Sequence, residues 1–209
     1  RTSVLRDRLA DAFDAAAADV VAAHLAAFGL DDPATLETVA GQATPEELGR
    51  WRDALRTALT DRPTPEAPDV SVIVPAYGKV RLTVSAVLAL LRDPVVTSFE
   101  VLVADDASPD GTEEVFADLP GGVVRLVRAS ENRGFVRNCN AAARHARGRH
   151  LLMLNNDVVT VPGFLDALLA ARDRTDAGVV GARLFGADGA LQEVGGMIWS
   201  DGTGWNLGR

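Results

Sequence analysis

The chain has very little cysteine, histidine or aromatic residue. Its 209 residues include 1 Cys and 3 His, and aromatic residues make up 5%. A single cysteine excludes an internal disulfide and any cysteine-based zinc site. The histidines, His24, His145 and His150, lack the spacing of metal ligands. The chemistry of this protein must therefore rest on carboxylates, amides, arginines and the backbone.

Long hydrophobic runs are also missing. No stretch reaches the ~18 apolar residues of a membrane-spanning helix. No secretory signal is visible, so we expect a cytoplasmic location. The net charge of −8 argues against nonspecific binding to nucleic acid. An acidic protein can still bind an anionic nucleotide, but it then needs a cation or a local arginine cluster.

The first 62 residues are predicted to be helical. Apolar residues at spacings of three and four give the first helix one stripe: Leu5, Leu9, Phe13, Ala16, Val20, His24 and Phe28. Gly29 is expected to end it, and His24 reads as a packed side chain rather than a ligand. A second helix is expected to begin at Thr44 with a capping box. Its predicted apolar face comprises Leu48, Trp51, Leu55 and Leu59. These helices carry no chemistry, and their acidic surface is a candidate docking surface for a protein partner.

Three prolines between residues 63 and 68 predict a stiff linker. We therefore divide the chain into a small helical segment (1–62), a linker (63–69) and an α/β domain (70–209). Strands alternate with helices in that domain, which predicts a mostly parallel, Rossmann-like sheet. Strands are expected at 70–74, 99–104, 123–127, 151–154 and 178–184, and a hairpin around 187–189. The apolar run 151–154 predicts a strand buried on both faces.

Polar side chains follow two of these strands directly. Asp105 and Asp106 follow strand 99–104, and Asn155, Asn156 and Asp157 follow strand 151–154. The carboxyl ends of parallel strands form the ligand crevice of open α/β sheets. Oxygen ligands of this kind suit Mg²⁺ held together with phosphate. The pattern predicts a site for a metal-bound diphosphate, although Asn and Asp are also the usual formers of turns and caps.

Basic residues cluster between positions 125 and 149. Seven arginines there face a single acid, Glu131: Arg125, Arg128, Arg133, Arg137, Arg144, Arg147 and Arg149. For most of them we expect a solvated helix face. Asn132-Arg133-Gly134 leads into a helix, whose N-terminal backbone N–H groups and Arg133 could bind phosphate.

The ordered set of motifs is more specific than any one of them. It runs Val-Ser-Val-Ile-Val-Pro-Ala-Tyr (70–77), Val-Leu-Val-Ala-Asp-Asp-Ala-Ser-Pro-Asp-Gly-Thr (101–112), Asn-Arg-Gly-Phe (132–135) and Leu-Asn-Asn-Asp (154–157). This stretch resembles the nucleotide-sugar half of the inverting family 2 glycosyltransferases, which have the GT-A fold. Residues 188–196 resemble the continuation in members that build bacterial O-antigen, rhamnan or other surface polysaccharides.

The resemblance implies a role for each matching residue. Pro75, Ala76 and Tyr77 would line the nucleotide base. Asp106 would meet the base or ribose, supported by Asp105, and Arg133 would approach the base or diphosphate. Asn156 and Asp157 occupy the family's metal motif, which implies a divalent cation, Mg²⁺ or Mn²⁺. Asn156 stands where a second carboxylate is usual.

The resemblance also implies the substrates. The donor would be a UDP- or dTDP-linked sugar, and the acceptor a glycan or a lipid-linked glycan. A lipid-linked acceptor would bring the protein to the inner face of the membrane as a peripheral protein. The family's catalytic base lies well beyond the metal motif, so we expect it beyond Arg209. Glu193 and Asp201 are available carboxylates, but neither matches the base motif. We therefore expect a donor-binding piece that lacks most of its acceptor site.

Two alternatives remain open. A sugar nucleotidyltransferase is expected to have a glycine-rich, basic loop after the first strand. Residues 75–79 contain one glycine and one lysine and match that loop poorly. A dinucleotide-binding dehydrogenase is disfavoured because no G-x-G-x-x-G follows that strand. The second alternative is a non-catalytic module that binds a nucleotide sugar or assembles with a partner.

Overall fold

The computed structural model describes residues 15–32, 43–186, 189–198, 200 and 204–207. One compact unit comprises Glu37–Thr160, and the other combines Arg1–Leu36 with Val161–Arg209. The helices are α1 Ala15–Ala27, α2 Pro45–Leu59, α3 Val80–Arg92, α4 Thr112–Phe116, α5 Phe135–Ala143 and α6 Phe164–Thr175. The strands are β1 Val70–Ala76, β2 Phe99–Asp105, β3 Val124–Arg128, β4 His150–Met153, β5 Leu184–Phe185, β6 Leu191–Glu193, β7 Gly195–Ile198 and β8 Gly204–Leu207.

The first unit is built on a four-stranded parallel sheet in the order β3-β2-β1-β4. Strands β1 and β2 pair in register from Val70–Phe99 to Ala76–Asp105, and both are almost completely buried. Helices connect the successive strands, as a parallel sheet requires. The predicted α/β class with a mostly parallel sheet is therefore confirmed. Strands β1, β2 and β4 deliver their carboxyl ends to the same edge.

Strand β4 differs from the prediction. Leu151 and Met153 are 52% and 48% exposed, so the expectation of burial on both faces is wrong. Strand β4 lies at the edge of the sheet and, among the described strands, pairs with β1 alone. An apolar run indicates a strand, but it does not reveal how many of its faces the fold covers.

Of the expected strand at 178–184, only Leu184 lies in a strand, the two-residue β5. Gly178 and Gly181 lie outside any strand, in keeping with the poor strand propensity of glycine. Strand β5 pairs antiparallel with β6, which confirms the hairpin. Residues 187 and 188 at its tip lie outside the described residues. Strands β7 and β8 form a second antiparallel pair.

Helix α1 belongs to the second unit and ends at Ala27, with Gly29 at φ +65° just beyond it. His24 is buried and its ring lies 5.2 Å from that of Phe28, so its expected packing role is confirmed. The predicted stripe is displaced, because Ala16 and Val20 are exposed. The buried face instead comprises Ala18, Val21, Ala22, His24 and Phe28. Leu5, Leu9 and Phe13 lie outside the described residues.

Helix α2 has the predicted capping box. Thr44 Oγ1 accepts the Glu47 N–H, and Glu47 Oε2 accepts the Thr44 N–H at 2.9 Å. The helix packs within the sheet unit, where Glu47 pairs with Arg81 of α3 at 2.8 Å and Arg81 lies over the Trp51 ring. Residues 45–59 belong to the same compact unit as the sheet, and the boundary at 63–69 stays a prediction.

A buried polar network stabilises the amino end of the sheet. Glu100, which is fully buried, accepts hydrogen bonds from Ser71 Oγ (2.7 Å) and the Arg147 N–H (2.7 Å). Its other oxygen pairs with Arg125 and Arg147, each at 2.8 Å. Ser71 Oγ in turn accepts the Gly148 N–H. A Cβ at Gly148 would lie 2.4 Å from the Ser71 nitrogen, so this close approach requires glycine.

This network corrects the interpretation of the arginine cluster for three of its seven members. Arg125 and Arg147 bind the buried Glu100, and Arg128 pairs with the buried Asp105. These three are not a solvated helix face, because Arg125 and Arg128 lie on a strand beside buried carboxylates. Sequence alone does not show which acid in the next strand an arginine will meet.

Within the described ranges, no helix combines the length and the apolar character needed to cross a bilayer.

Candidate functional site

The candidate site lies at the carboxyl edge, by which we mean the carboxyl ends of β1, β2 and β4 with loops 77–79, 106–111, 129–134 and 155–157. Neighbouring strands lie about 4.8 Å apart, so β2 to β4 spans roughly 10 Å, comparable to an extended nucleoside diphosphate. All of the residues that the sequence singled out for nucleotide or metal binding lie in or beside this edge.

Asp106 organises the loop that leads into α5. Its Oδ1 accepts the Arg133 N–H and its Oδ2 accepts the Gly134 N–H, both at 2.8 Å. Its own N–H donates to Ala76 O at 2.9 Å, which joins this loop to β1 and β2. The two backbone donors considered for phosphate are thus already bound to a carboxylate. Each carboxylate oxygen retains acceptor capacity for a ligand.

Asp105 is the last residue of β2 and has no exposed surface. Its Oδ1 accepts the Ser108 N–H at 2.9 Å and its Oδ2 pairs with Arg128. Arg128 also pairs with Glu113 at 3.1 Å. These bonds hold a tight turn in which Ala107 adopts φ +61°. A fully buried carboxylate is placed to support the turn, and it has no surface with which to touch a nucleotide.

The three residues at the end of β1 differ in exposure. Ala76 is buried and Pro75 is partly buried, whereas Tyr77 is 58% exposed. Tyr77 therefore presents an aromatic surface at the carboxyl edge. Aromatic rings of this kind are the usual platforms on which nucleobases stack.

The turn after β4 holds Asn156 and Asp157 differently. Asn156 Nδ2 donates to Oγ1 of the buried Thr83 at 3.0 Å, which anchors the turn to α3. Asp157 is exposed, and its carboxylate has no hydrogen-bond or ion-pair partner among the described residues. No group of three His, Cys, Asp or Glu side chains arranged to hold a metal occurs in the described part of the chain. Asp157 could bind a cation only together with ligand oxygens and water.

Arg133 projects from the loop that Asp106 holds. Its side chain is 43% exposed and lies 3.9 Å from Glu131, itself 77% exposed. A weak, exposed pair of this kind leaves the guanidinium available for another anion.

Several residues at this edge were not singled out from the sequence. Ser108 Oγ accepts the Gly78 N–H at 3.0 Å, and Asp110 Oδ2 accepts the Val80 N–H at 2.6 Å. Asn138, buried in α5, donates to Ala104 O at 2.6 Å. The sequence indicated a turn at 108–112, but the backbone N–H groups that bond to Ser108 and Asp110 lie 30 positions earlier in the chain. The one signal available from the sequence for Asn138 was its spacing of four residues from Ala142, which places it on the small face of a short helix.

The sequence model of glycosyl transferase family 2 matches residues 71–201 of this chain. Among curated relatives, the succinoglycan biosynthesis protein ExoO of Rhizobium meliloti (strain 1021) is 35% identical over 112 residues. The O-antigen biosynthesis protein RfbC of Myxococcus xanthus is 35% identical over 144 residues. These matches cover 54% and 67% of this chain. The chain spans only 32% and 11% of the length of those two relatives.

Among solved structures, the chain is similar to the mannosyltransferase PcManGT from Pyrobaculum calidifontis in complex with GDP-Man and Mn²⁺. The aligned region covers 73% of this chain and 39% of the mannosyltransferase chain. Its TM-score is 0.40 and its sequence identity 23%, a likeness too low to carry an argument about ligands. The family match covers well over half of the chain and includes the carboxyl edge described above. It decides against the nucleotidyltransferase and dehydrogenase alternatives and confirms the family that the motifs resemble. This chain belongs to glycosyl transferase family 2.

Proposed function

We propose that this chain binds the donor of an inverting glycosyl transfer used in polysaccharide synthesis. The donor is a UDP- or dTDP-linked sugar, and the acceptor is a glycan or a lipid-linked glycan. The observation that carries the proposal is Asp157, an exposed carboxylate fixed in position after β4 and without a partner among the described residues. The succinoglycan and O-antigen roles in the relatives' names support the polysaccharide assignment.

Tyr77 and Asp106 suit the nucleoside part of the donor. The exposed Tyr77 ring offers a stacking surface. Asp106 is held rigidly by two backbone N–H groups, so its remaining lone pairs have a defined direction. A pyrimidine N–H or a ribose hydroxyl is a donor that such a carboxylate accepts.

The diphosphate needs positive charge that the helix N-termini do not provide. A helix N-terminus ordinarily attracts phosphate. Here Asp106 bonds to the backbone at the start of α5, and Asp110 bonds to the N-termini of α3 and α4. Their carboxylates already balance the partial positive charge of these termini. Asp157 with a divalent cation, together with Arg133, is therefore the source of charge neutralisation that we propose.

One exposed carboxylate suits a cation whose other ligands are phosphate oxygens and water. A bound Mg²⁺ or Mn²⁺ would supply neutralisation of the negative charge that develops on the leaving diphosphate. The contribution of Asn156 is to hold the turn through Thr83, so that Asp157 is presented in one position. With a single protein carboxylate, cation binding should depend on the nucleotide.

The residue that deprotonates the acceptor is not assigned. Glu193 is partly buried in β6 of the second unit, and Asp201 lies outside the described residues. The proposal therefore concerns donor binding and diphosphate neutralisation.

Calorimetric titration of UDP and dTDP, with Mn²⁺ and with EDTA, tests the proposal. We expect binding that requires Mn²⁺ and is lost in Asp157→Ala. Asp118→Ala is the matched control, because Asp118 is also an exposed aspartate but lies after α4, outside the carboxyl edge. Binding that survives Asp157→Ala unchanged would move charge neutralisation to Arg133. Failure of the unmutated chain to bind either nucleotide would favour an assembly module over a donor site.

A further inference from the structure

Beyond the ends of β1 and β2, side chains continue the pairing of the two strands. Ala76 O accepts the Asp106 N–H, Gly78 donates to Ser108 Oγ, and Val80 donates to Asp110 Oδ2. Each of the three bonds joins residues 30 positions apart, and the bonds recur at every second residue. Side-chain oxygens of Ser108 and Asp110 thus take the place of backbone carbonyls. We call Ser108 and Asp110 the loop clamp.

The backbone that the loop clamp holds is strained. Gly78 and Lys79 both adopt left-handed conformations, with φ +66° and +58°. This conformation is unfavourable by about 1 kcal/mol for a residue with a side chain, such as Lys79. A turn with two consecutive left-handed residues keeps this shape only when its surroundings hold it. The two bonds of the loop clamp flank Lys79 on either side.

Asp110 is itself fixed in orientation. Its Oδ1 accepts the Thr112 hydroxyl at 2.7 Å and the Thr112 N–H at 3.3 Å. Its Oδ2 is thereby directed at the Val80 N–H, at the first residue of α3. One carboxylate therefore bonds to the starts of both α3 and α4, and it locks the loop after β1 to the loop after β2.

We propose that Asp110, with Ser108, is a positioning residue that holds the 77–79 turn so that Tyr77 presents its ring to the nucleobase. The inference rests on the proposed donor function, because it supplies the reason for a fixed Tyr77. Asp110 does not act on the ligand directly. It acts through the backbone of Gly78 to Val80, which immediately follows Tyr77.

The chain contains a single tyrosine, which gives a specific probe. Incorporation of 3-fluorotyrosine yields one ¹⁹F resonance that reports on Tyr77 alone. Without any ligand, we expect one narrow resonance in the unmutated chain. Asp110→Ala should shift or broaden it, because the turn then exchanges between conformations. Asp110→Asn should restore it, since its amide oxygen can accept from Val80 and its amide nitrogen can donate to the Thr112 hydroxyl, and only the long bond from the Thr112 N–H is lost.

Asp118→Ala is the matched control. It removes an exposed aspartate that lies after α4 and outside the loop clamp, so the resonance should stay as in the unmutated chain. Ser108→Ala removes the Gly78 bond without touching either helix start. It should perturb the resonance even if Asp110→Ala fails to fold. Thermal unfolding of every variant separates a local change in the turn from a loss of the whole fold.

Titration with UDP and dTDP in the presence of Mn²⁺ completes the test. We expect Asp110→Ala to bind the preferred nucleotide about tenfold more weakly, and Asp110→Asn to bind it as the unmutated chain does. An unchanged resonance in both Asp110→Ala and Ser108→Ala, or unchanged nucleotide affinity, would overturn the positioning role while leaving the donor function intact. If the unmutated chain binds neither nucleotide but its resonance responds to the variants, the donor function fails and the clamped turn remains.

Discussion

The Asp106 carboxylate and the Gly134 backbone N–H lie 2.8 Å apart, although 28 positions separate the two residues in sequence. Gly134 adopts φ +80° and ψ 160°, a conformation that is essentially restricted to glycine. No heavy atom lies within 4 Å of where its Cβ would be. Backbone conformation, rather than lack of space, therefore requires glycine at the start of α5.

Gly134→Ala should destabilise the protein by about 1–3 kcal/mol, because alanine strains this conformation. Urea denaturation measures the change. Gly49→Ala is the control of opposite sign, since Gly49 lies inside α2 with open space around it. That substitution should stabilise by about 0.5–1 kcal/mol. The same sign of change in both variants would contradict the argument.

Gly148→Ala should be more damaging, because its Cβ would meet backbone rather than open space. The Ser71 nitrogen would lie 2.4 Å from the new carbon. Relief of that clash would pull apart the bond between Gly148 and Ser71 Oγ and disturb Glu100. We expect a loss of roughly 3 kcal/mol or more, measured in the same way. Gly178→Ala, where a Cβ meets nothing within 4 Å, should change stability little.

Glu100 should make stability depend on acid pH. Burial raises the pKa of its carboxyl, but hydrogen bonds from Ser71, Arg147 and Arg125 outweigh it and hold the pKa below the ordinary 4.5. A carboxyl with a lowered folded-state pKa stabilises the fold above its unfolded pKa. This stabilisation is lost as the pH falls from 4.5 through the folded-state value.

Glu100→Gln should therefore flatten the acid limb of the curve of stability against pH. At neutral pH it should cost about 3 kcal/mol, because it leaves Arg125 and Arg147 beside a neutral group. Urea denaturation at a series of pH values measures both effects. Glu114→Gln, at an exposed position, is the control. An acid limb as steep in Glu100→Gln as in the unmutated chain would contradict the assignment.

Cys139 should be an inert thiol in the folded protein. It is buried in α5, and burial raises its pKa, with a smaller contribution from the negative charge of Asp106. Little thiolate is then present at pH 8, and thiolate is the reactive form. Labelling with a chromogenic disulfide should be slow in the native state and fast in concentrated guanidinium chloride. Native labelling as fast as that of free cysteine would show that α5 opens readily.

Local sequence rules predicted the structural features that depend only on residues close together in the sequence. The capping box of Thr44 and Glu47 and the buried face of α2 follow from spacing within one helix, and both were found as expected. Strand β2 and the polar residues at its end were located correctly, because a short apolar run bounded by a turn is a local signal. The edge at which the candidate residues lie follows from parallel pairing alone.

Long-range partners were not predictable in the same way. Arg128 and Asp105 lie 23 positions apart, and only the register of β2 and β3 brings them together. Glu100 and Arg147 are 47 positions apart. Exposure of Leu151 and Met153 depends on what covers β4, which a strand's own sequence does not encode. Asp110 was visible as a turn residue, but its bond to Val80 depends on two loops meeting.

The alternating bonds of the loop clamp also set a rule for insertions and deletions. Successive bonding residues are two positions apart in each loop, so Asp106 bonds to position 76, Ser108 to 78 and Asp110 to 80. The bonds form together only if that spacing is the same in both loops. One residue added between Asp106 and Asp110 would shift Asp110 away from Val80 and break the hydrogen bond between them. The exposed stretch around Pro120, beyond α4, lacks this constraint. Engineered loops and inserted tags therefore belong there, while the length of the two loops at the carboxyl edge should be left as it is.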